Sequence, residues 1–170
     1  RVDEPLADLT PSHADVAVSS GGALVVWQDD SLASGSPVVH ARHYPSGGAA
    51  GEMFQVHFDN AGWHEEPTVA ATPDGGFVVL WHGQSAPPTG SWDVFLRRFD
   101  ASATPLDVEG TVPEHTSGDQ LAPAVAVGAT GLLVAWQTQV TATDWDVVVR
   151  PLALDGSPAD TEPEKTTTAK

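Results

Sequence analysis

Tryptophans beside carboxylates are the residues whose types and spacing suggest chemistry in this sequence. Trp92-Asp93 and Trp145-Asp146 each follow a polar loop, and Trp63 lies in another loop. An indole ring can stack on the apolar face of a sugar while a carboxylate accepts hydrogen bonds from its hydroxyl groups. The sequence therefore predicts ligand binding, with carbohydrate as the candidate, at Trp92, Asp93, Trp145, Asp146 and Trp63. The alternative is that these indoles fill space between structural units.

The sequence carries no pattern typical of an enzyme. It contains no Gly-x-Ser-x-Gly nucleophile motif, no phosphate-binding glycine loop and no dinucleotide-binding fingerprint. Its 23 Asp and Glu residues must include chance pairs, so paired carboxylates alone do not identify a glycosidase. We therefore predict a protein that is not an enzyme, with no catalytic residue and no cofactor.

Metal ligands are present, but their spacing does not fit a metal site. The run His64-Glu65-Glu66-Pro67 does not complete a His-Glu-x-x-His motif, and the acidic loops lack the regular spacing of a calcium loop. His40 and His43 are three positions apart on a predicted strand, which points their side chains to opposite faces. The chain has no cysteine, which excludes zinc ribbons, thiol nucleophiles and disulfides. We predict no metal site.

The segments that must position these residues repeat three times. An apolar run ends in Trp each time, and Trp27, Trp81 and Trp136 follow one another at intervals of 54 and 55 residues. A period of this size is typical of propeller blades, trefoil lobes and solenoid units. Each repeat reads as four short strands, with a glycine turn between the first two, because glycine adopts positive φ without steric cost.

The repeats divide one domain, 1–170, into three predicted units. The units cover about 14–58, 67–114 and 123–165. The tail, 160–170, is rich in Thr, Glu, Pro and Lys, and we expect it to be flexible or to hold a short edge strand.

Two sets of residues recur in register in all three units. The second strand is apolar almost throughout, which predicts burial on both faces and places its terminal Trp in the core rather than on a sugar-binding platform. The Arg on the third strand is expected to form an ion pair with a carboxylate of the neighbouring unit, the alternative being anion recognition. The two sets are Trp27, Trp81 and Trp136, and Arg42, Arg97 and Arg150.

The whole unit resembles the tandem Trp-containing β-propeller-like repeats of large secreted bacterial proteins. The resemblance lies in the order Pro-x-Val-Ala, Gly-Gly, apolar run ending in Trp, long loop and Asp-Val-x-x-Arg, over about 14–160. It implies an all-β fold of three four-stranded antiparallel blades, which form part of a propeller or complete one as an oligomer. A β-trefoil, also built from three four-stranded units, is the alternative. The resemblance implies an architecture and no particular activity.

Charge and composition limit the partners. Seven Lys and Arg accompany 23 Asp and Glu, a formal net charge of −16 at pH 7. Such a chain repels nucleic acid, and no apolar stretch is long enough to insert into a membrane. The remaining candidates are a carbohydrate, another protein, and self-association or further blades.

The composition also suggests a location and a function. The low lysine content and the high acidity are typical of an extracellular or periplasmic bacterial protein. We predict a non-enzymatic binding module of the β-propeller type, with carbohydrate as its candidate ligand. The alternative is a structural or accessory subunit that docks on a larger protein assembly.

Overall fold

The structure, a computed structural model, describes residues 10–30, 36–58, 62–84, 90–112, 117–159 and the strand 164–166. All the regular secondary structure that these residues form is β-strand. Among them there is accordingly no helix long and apolar enough to cross a membrane. The all-β prediction is confirmed.

The strands form three antiparallel four-stranded sheets, each built from four consecutive strands in chain order. We call them sheet 1 (β1 to β4), sheet 2 (β5 to β8) and sheet 3 (β9 to β12). Of the tail, only β12 falls within the described residues. The strands are β1 (Pro11–Ser19), β2 (Gly22–Asp30), β3 (Pro37–Pro45), β4 (Met53–Gln55), β5 (Trp63–Ala71), β6 (Phe77–Gln84), β7 (Asp93–Phe99), β8 (Gly110–Thr111), β9 (Gln120–Val127), β10 (Gly131–Thr141), β11 (Asp144–Ala153) and β12 (Glu164–Thr166).

The first strand of every sheet carries a β-bulge at the same repeat position. There the register between the first and second strands shifts in all three sheets. One residue of each bulge has positive φ: His13 (48°), Glu66 (49°) and Ala122 (52°). Because the third of these is alanine, the backbone conformation belongs to the repeat itself rather than to the side chain at one site.

Sheet 2 packs between the other two sheets. One buried cluster joins sheets 1 and 2 around Phe77 and Trp81, and a second joins sheets 2 and 3 around Leu80 and Trp136. All eight residues of β6 are buried. The predicted burial of the second strand on both faces is thus confirmed for sheet 2. It is wrong for sheet 3, where burial alternates along β10 and Leu133 is exposed.

The three repeated Trp residues belong to the core, as predicted. Trp27, Trp81 and Trp136 are all buried. Trp81 Nε1 donates to His64 Nδ1 at 3.1 Å, and Trp136 Nε1 donates to Gln120 Oε1 at 2.7 Å. Each acceptor therefore comes from the start of the first strand of the same sheet.

Trp27 differs because sheet 1 has a different residue at the acceptor position. Pro11 pairs with Asp29, two residues after Trp27, just as His64 pairs with Gly83, two residues after Trp81. Pro11 therefore occupies the repeat position of the acceptor His64. Proline offers no side-chain acceptor, and no described residue accepts the hydrogen of the buried Trp27 Nε1.

Arginines join successive sheets. Arg97 on β7 donates from Nη1 to the carbonyl oxygen of Val56 in sheet 1 at 2.5 Å, and Arg150 on β11 donates in the same way to Val112 in sheet 2. Val56 and Val112 each directly follow the fourth strand of their sheet. The expected contact with the neighbouring unit is present, but the acceptor in both bonds is a backbone carbonyl rather than the carboxylate that the sequence suggested.

Replacing each core Trp by Phe isolates the contribution of its hydrogen bond. Trp81→Phe and Trp136→Phe remove a donor from a buried acceptor, whereas Trp27→Phe removes a donor that no described residue accepts. We expect the first two variants to lose about 1–3 kcal/mol more of the free energy of unfolding than the third. Denaturant unfolding of the three variants measures this difference, and equal losses would contradict it.

Candidate functional site

Trp63 and Trp92 lie together at one end of sheet 2. Their ring centroids are 5.8 Å apart and their planes meet at 61°, an edge-to-face contact. Strand pairing explains the contact: Trp63 lies opposite Gln84, and Asp93 lies opposite Gly83, so β5 and β7 both begin beside the end of β6. The fold therefore brings together two residues that are 29 positions apart in the sequence.

His82 extends this aromatic pair into a cluster of three rings. Its ring centroid lies 5.1 Å from that of Trp92, with the planes at 66°. Its Nε2 is 3.8 Å from a carboxylate oxygen of Glu65, and its Nδ1 is 4.0 Å from one of Glu66. The imidazole is buried, while both carboxylates are partly exposed. Polar acceptors therefore surround an aromatic surface.

A cleft of about 500 Å³ opens beside the cluster, between sheets 2 and 3. Its walls combine an indole ring, an imidazole, two carboxylates and a carboxamide, and they contain no Lys or Arg among the described residues. The lining residues are Glu65, Glu66, His82 and Trp92 from sheet 2, and Leu121, Ala122 and Gln137 from sheet 3. The cleft can therefore offer stacking and hydrogen bonds to a neutral ligand, and it disfavours an anion.

Contacts from the neighbouring sheets hold the cleft in place. The backbone N–H of Trp92 donates to Asp119 Oδ1 at 3.1 Å, and its carbonyl accepts from the backbone N–H of Gln120 at 2.8 Å. On the other side, the backbone N–H of Glu66 donates to Gln28 Oε1 of sheet 1 at 3.0 Å. All three sheets therefore position the cleft.

No protein-family model matches this sequence, and no curated protein matches it. Among the described residues, no group of three or more His, Asp or Glu is arranged to hold a metal ion. The geometry of the cleft is therefore what bears on function.

Asp93 is adjacent to Trp92 but does not line the cleft. Its Oδ1 is buried, and no described residue donates a hydrogen bond to it. Burial, and secondarily the negative charge of Asp119, raise the pKa of the Asp93 carboxyl above its usual value. The sequence predicts Asp93 as the carboxylate that accepts hydrogen bonds beside Trp92. In the structure, the carboxylates that line the cleft with Trp92 are those of Glu65 and Glu66.

Trp145 and Asp146 lie outside the cleft, on β11 of sheet 3. Trp145 pairs with Gln139 of β10. Strand β10 therefore lies between Trp145 and Gln120 of β9, whose backbone N–H donates to the carbonyl of Trp92. Trp145 occupies the repeat position of Trp92, but among the described residues no following sheet packs against it. The structure thus groups Trp63 with Trp92 and leaves Trp145 apart.

Sequence reasoning missed several residues of the cleft. His82 and Gln137 hold the same repeat position, directly after a core Trp, and Gln28 holds it in sheet 1. Three polar residues that follow three buried Trp residues were the available signal. The sequence presents Glu65 and Glu66 only as potential metal ligands, because nothing in their spacing shows that the bulge in β5 brings them close to His82.

Asp93 and Asp146 occupy the same repeat position and allow a matched test of the raised pKa. A carboxyl whose pKa is higher in the folded state destabilises the fold above that pKa, and the penalty disappears as pH falls to the unfolded value. Asp93→Asn should therefore raise the free energy of unfolding at pH 7 and give a smaller gain in acid. Asp146→Asn, on a strand against which no following sheet packs among the described residues, should not reproduce this gain. Urea unfolding across pH measures both, and a loss of stability in Asp93→Asn at pH 7 would contradict the assignment.

Proposed function

We propose that this chain is a non-enzymatic binding module whose cleft between sheets 2 and 3 takes a neutral carbohydrate. The observation that carries the proposal is the cluster of Trp63, Trp92 and His82 beside the carboxylates of Glu65 and Glu66. An aromatic surface next to several hydrogen-bond acceptors matches a sugar ring, which has an apolar C–H face and a rim of hydroxyl donors.

The size and the charge of the cleft support the same ligand class. Its volume of about 500 Å³ lies within the range of roughly 300–1,000 Å³ that is usual for small-ligand sites. Two glutamates at the cleft and a formal net charge of −16 on the chain disfavour sialylated, sulfated or phosphorylated sugars. We assign no reaction to the cleft.

A β-propeller is the architecture that we propose for the three sheets. The first strands of successive sheets lie side by side, and their bulges line a common groove of about 320 Å³. Propeller blades place equivalent strands around a central channel in this way. A trefoil would pair strands of different repeat units, whereas each described strand pairs only with strands of its own four-stranded unit. An extracellular or periplasmic location remains part of the proposal.

The second candidate, a structural or accessory subunit, is favoured by a different observation. Large apolar side chains are exposed on the outward faces of sheets 1 and 3, among them Val16, Val18, Leu133 and Val147. Such a surface is typical of a site that another protein covers.

A glycan array of neutral and acidic oligosaccharides, followed by calorimetry with the best ligand, tests the carbohydrate proposal. We expect binding to neutral glycans that weakens at least tenfold, or by about 1.4 kcal/mol, in Trp92→Ala, because this variant removes the indole that lines the cleft. Trp63→Ala removes the ring that packs against Trp92 outside the cleft lining, so its loss of affinity should be smaller. Trp145→Ala removes an exposed ring outside the cleft and should bind like the parent.

Two results would contradict this proposal. One is a folded parent protein that binds no neutral glycan on the array. The other is a ligand whose affinity falls in Trp145→Ala but not in Trp92→Ala, which would place binding on β11 instead of in the cleft.

A further inference from the structure

Each sheet has a front face, which is directed toward the preceding sheet, and a rear face, which is directed toward the following one. The front face of sheet 2 includes Val69 and Trp81, which join the cluster with sheet 1. Its rear face includes Val78 and Val94, which join the cluster with sheet 3. The front face of sheet 3 lies in that same cluster and includes Trp136. The molecule therefore forms the same rear-to-front interface twice.

The rear face of sheet 3 carries the same kind of residue, but no described sheet packs against it. Leu133 and Val147 occupy the repeat positions of Val78 and Val94. Val78 and Val94 are 0% exposed, whereas Leu133 is 49% exposed and Val147 is 45% exposed. The side chains are equally apolar, and among the described residues a following sheet packs on Val78 and Val94 but not on Leu133 and Val147.

The front face of sheet 1 shows the same difference in burial from its repeat equivalent. Val16 occupies the repeat position of Val69, as pairing with Val25 and Val79 shows. Val69 is 7% exposed because it packs on sheet 1, whereas Val16 is 57% exposed and Val18 on the same face is 75% exposed. Among the described residues, the front face of sheet 1 therefore exposes Val16 and Val18, although Trp27 on that face is buried, and the rear face of sheet 3 exposes Leu133 and Val147. Each of these faces is equivalent to one that packs on a neighbouring sheet inside the molecule.

We propose that the rear face of sheet 3 binds the front face of sheet 1 in a second copy of this chain. Both complementary faces are on one chain, so a second copy is sufficient to cover them. Two copies of three sheets make six, the one multiple of three within the roughly 4–8 blades of a closed propeller. The two copies then form two identical junctions, each of which covers Val16 of one copy and Leu133 of the other.

The charge of the chain predicts how this association responds to salt. Each copy carries a formal net charge of −16, so the copies repel one another over distances that salt screens. The internal junctions that this contact would copy are built on apolar clusters and on an arginine that donates to a backbone carbonyl, so ion pairs are not the basis of the contact. Raising the salt concentration should therefore strengthen the dimer, the opposite of what an association based on ion pairs would show.

Sedimentation velocity across protein and salt concentrations tests the proposal. The parent chain should reach twice the mass of the monomer. Leu133→Glu disrupts the rear face and Val16→Glu disrupts the front face, so each variant alone should remain monomeric. Both positions are exposed, and unfolding curves like that of the parent will confirm that the variants fold. Leu106→Glu, an exposed position between β7 and β8 on neither face, should dimerise normally.

Mixing the two variants is the decisive arm of the experiment. A rear-to-front contact requires one intact rear face and one intact front face, and the mixture of Leu133→Glu with Val16→Glu supplies one such pair. The mixture should therefore form a heterodimer, although neither variant dimerises alone. A parent that stays monomeric under all conditions would overturn the proposal. So would dimerisation of Val16→Glu alone, which would indicate that two rear faces bind each other.

Discussion

A β-sheet with large apolar side chains on both faces must be covered on both sides if those side chains are to be kept out of water. Side chains alternate along a strand, so Val79 and Trp81 of β6 are directed toward sheet 1, while Val78 and Leu80 are directed toward sheet 3. Burial of these side chains provides most of the favourable free energy of folding that the arrangement offers. The order of the sheets and the two core clusters satisfy this constraint, whereas the exposed Val16 of sheet 1 and Leu133 of sheet 3 lie where it is not met within one copy of the chain.

The candidate site also depends on that packing. The cleft lies where sheets 2 and 3 meet, and sheet 3 contributes both its wall and the hydrogen bonds that fix the backbone of Trp92. The arginines act at the same junctions, since Arg97 and Arg150 each donate to a carbonyl of the preceding sheet. The residues that directly follow the core Trp of sheets 2 and 3, His82 and Gln137, both line the cleft, so its side chains come from the repeat position next to the core.

The sequence predicts the parts of this fold that depend on local pattern, and it misses those that depend on neighbours. The repeat period, the strand order and the buried Trp27, Trp81 and Trp136 follow from apolar runs and turns. The contact between Trp63 and Trp92 does not, because it requires knowing that both lie beside the end of β6. Leu133 is as apolar as its repeat equivalent Val78, and only the neighbouring sheet decides which of them is buried.

Native-state hydrogen exchange at low protein concentration, where copies of the chain are separate, tests this account most directly. The amides of β6 lie in the sheet that is covered on both faces, so they should exchange only when the whole domain unfolds. The amides of β2 and β10 lie in sheets whose outer faces carry exposed apolar side chains among the described residues, and they should exchange faster, through local opening. Amides of β10 that are as strongly protected as those of β6 would contradict the claim that cover on both faces determines the stability of each sheet.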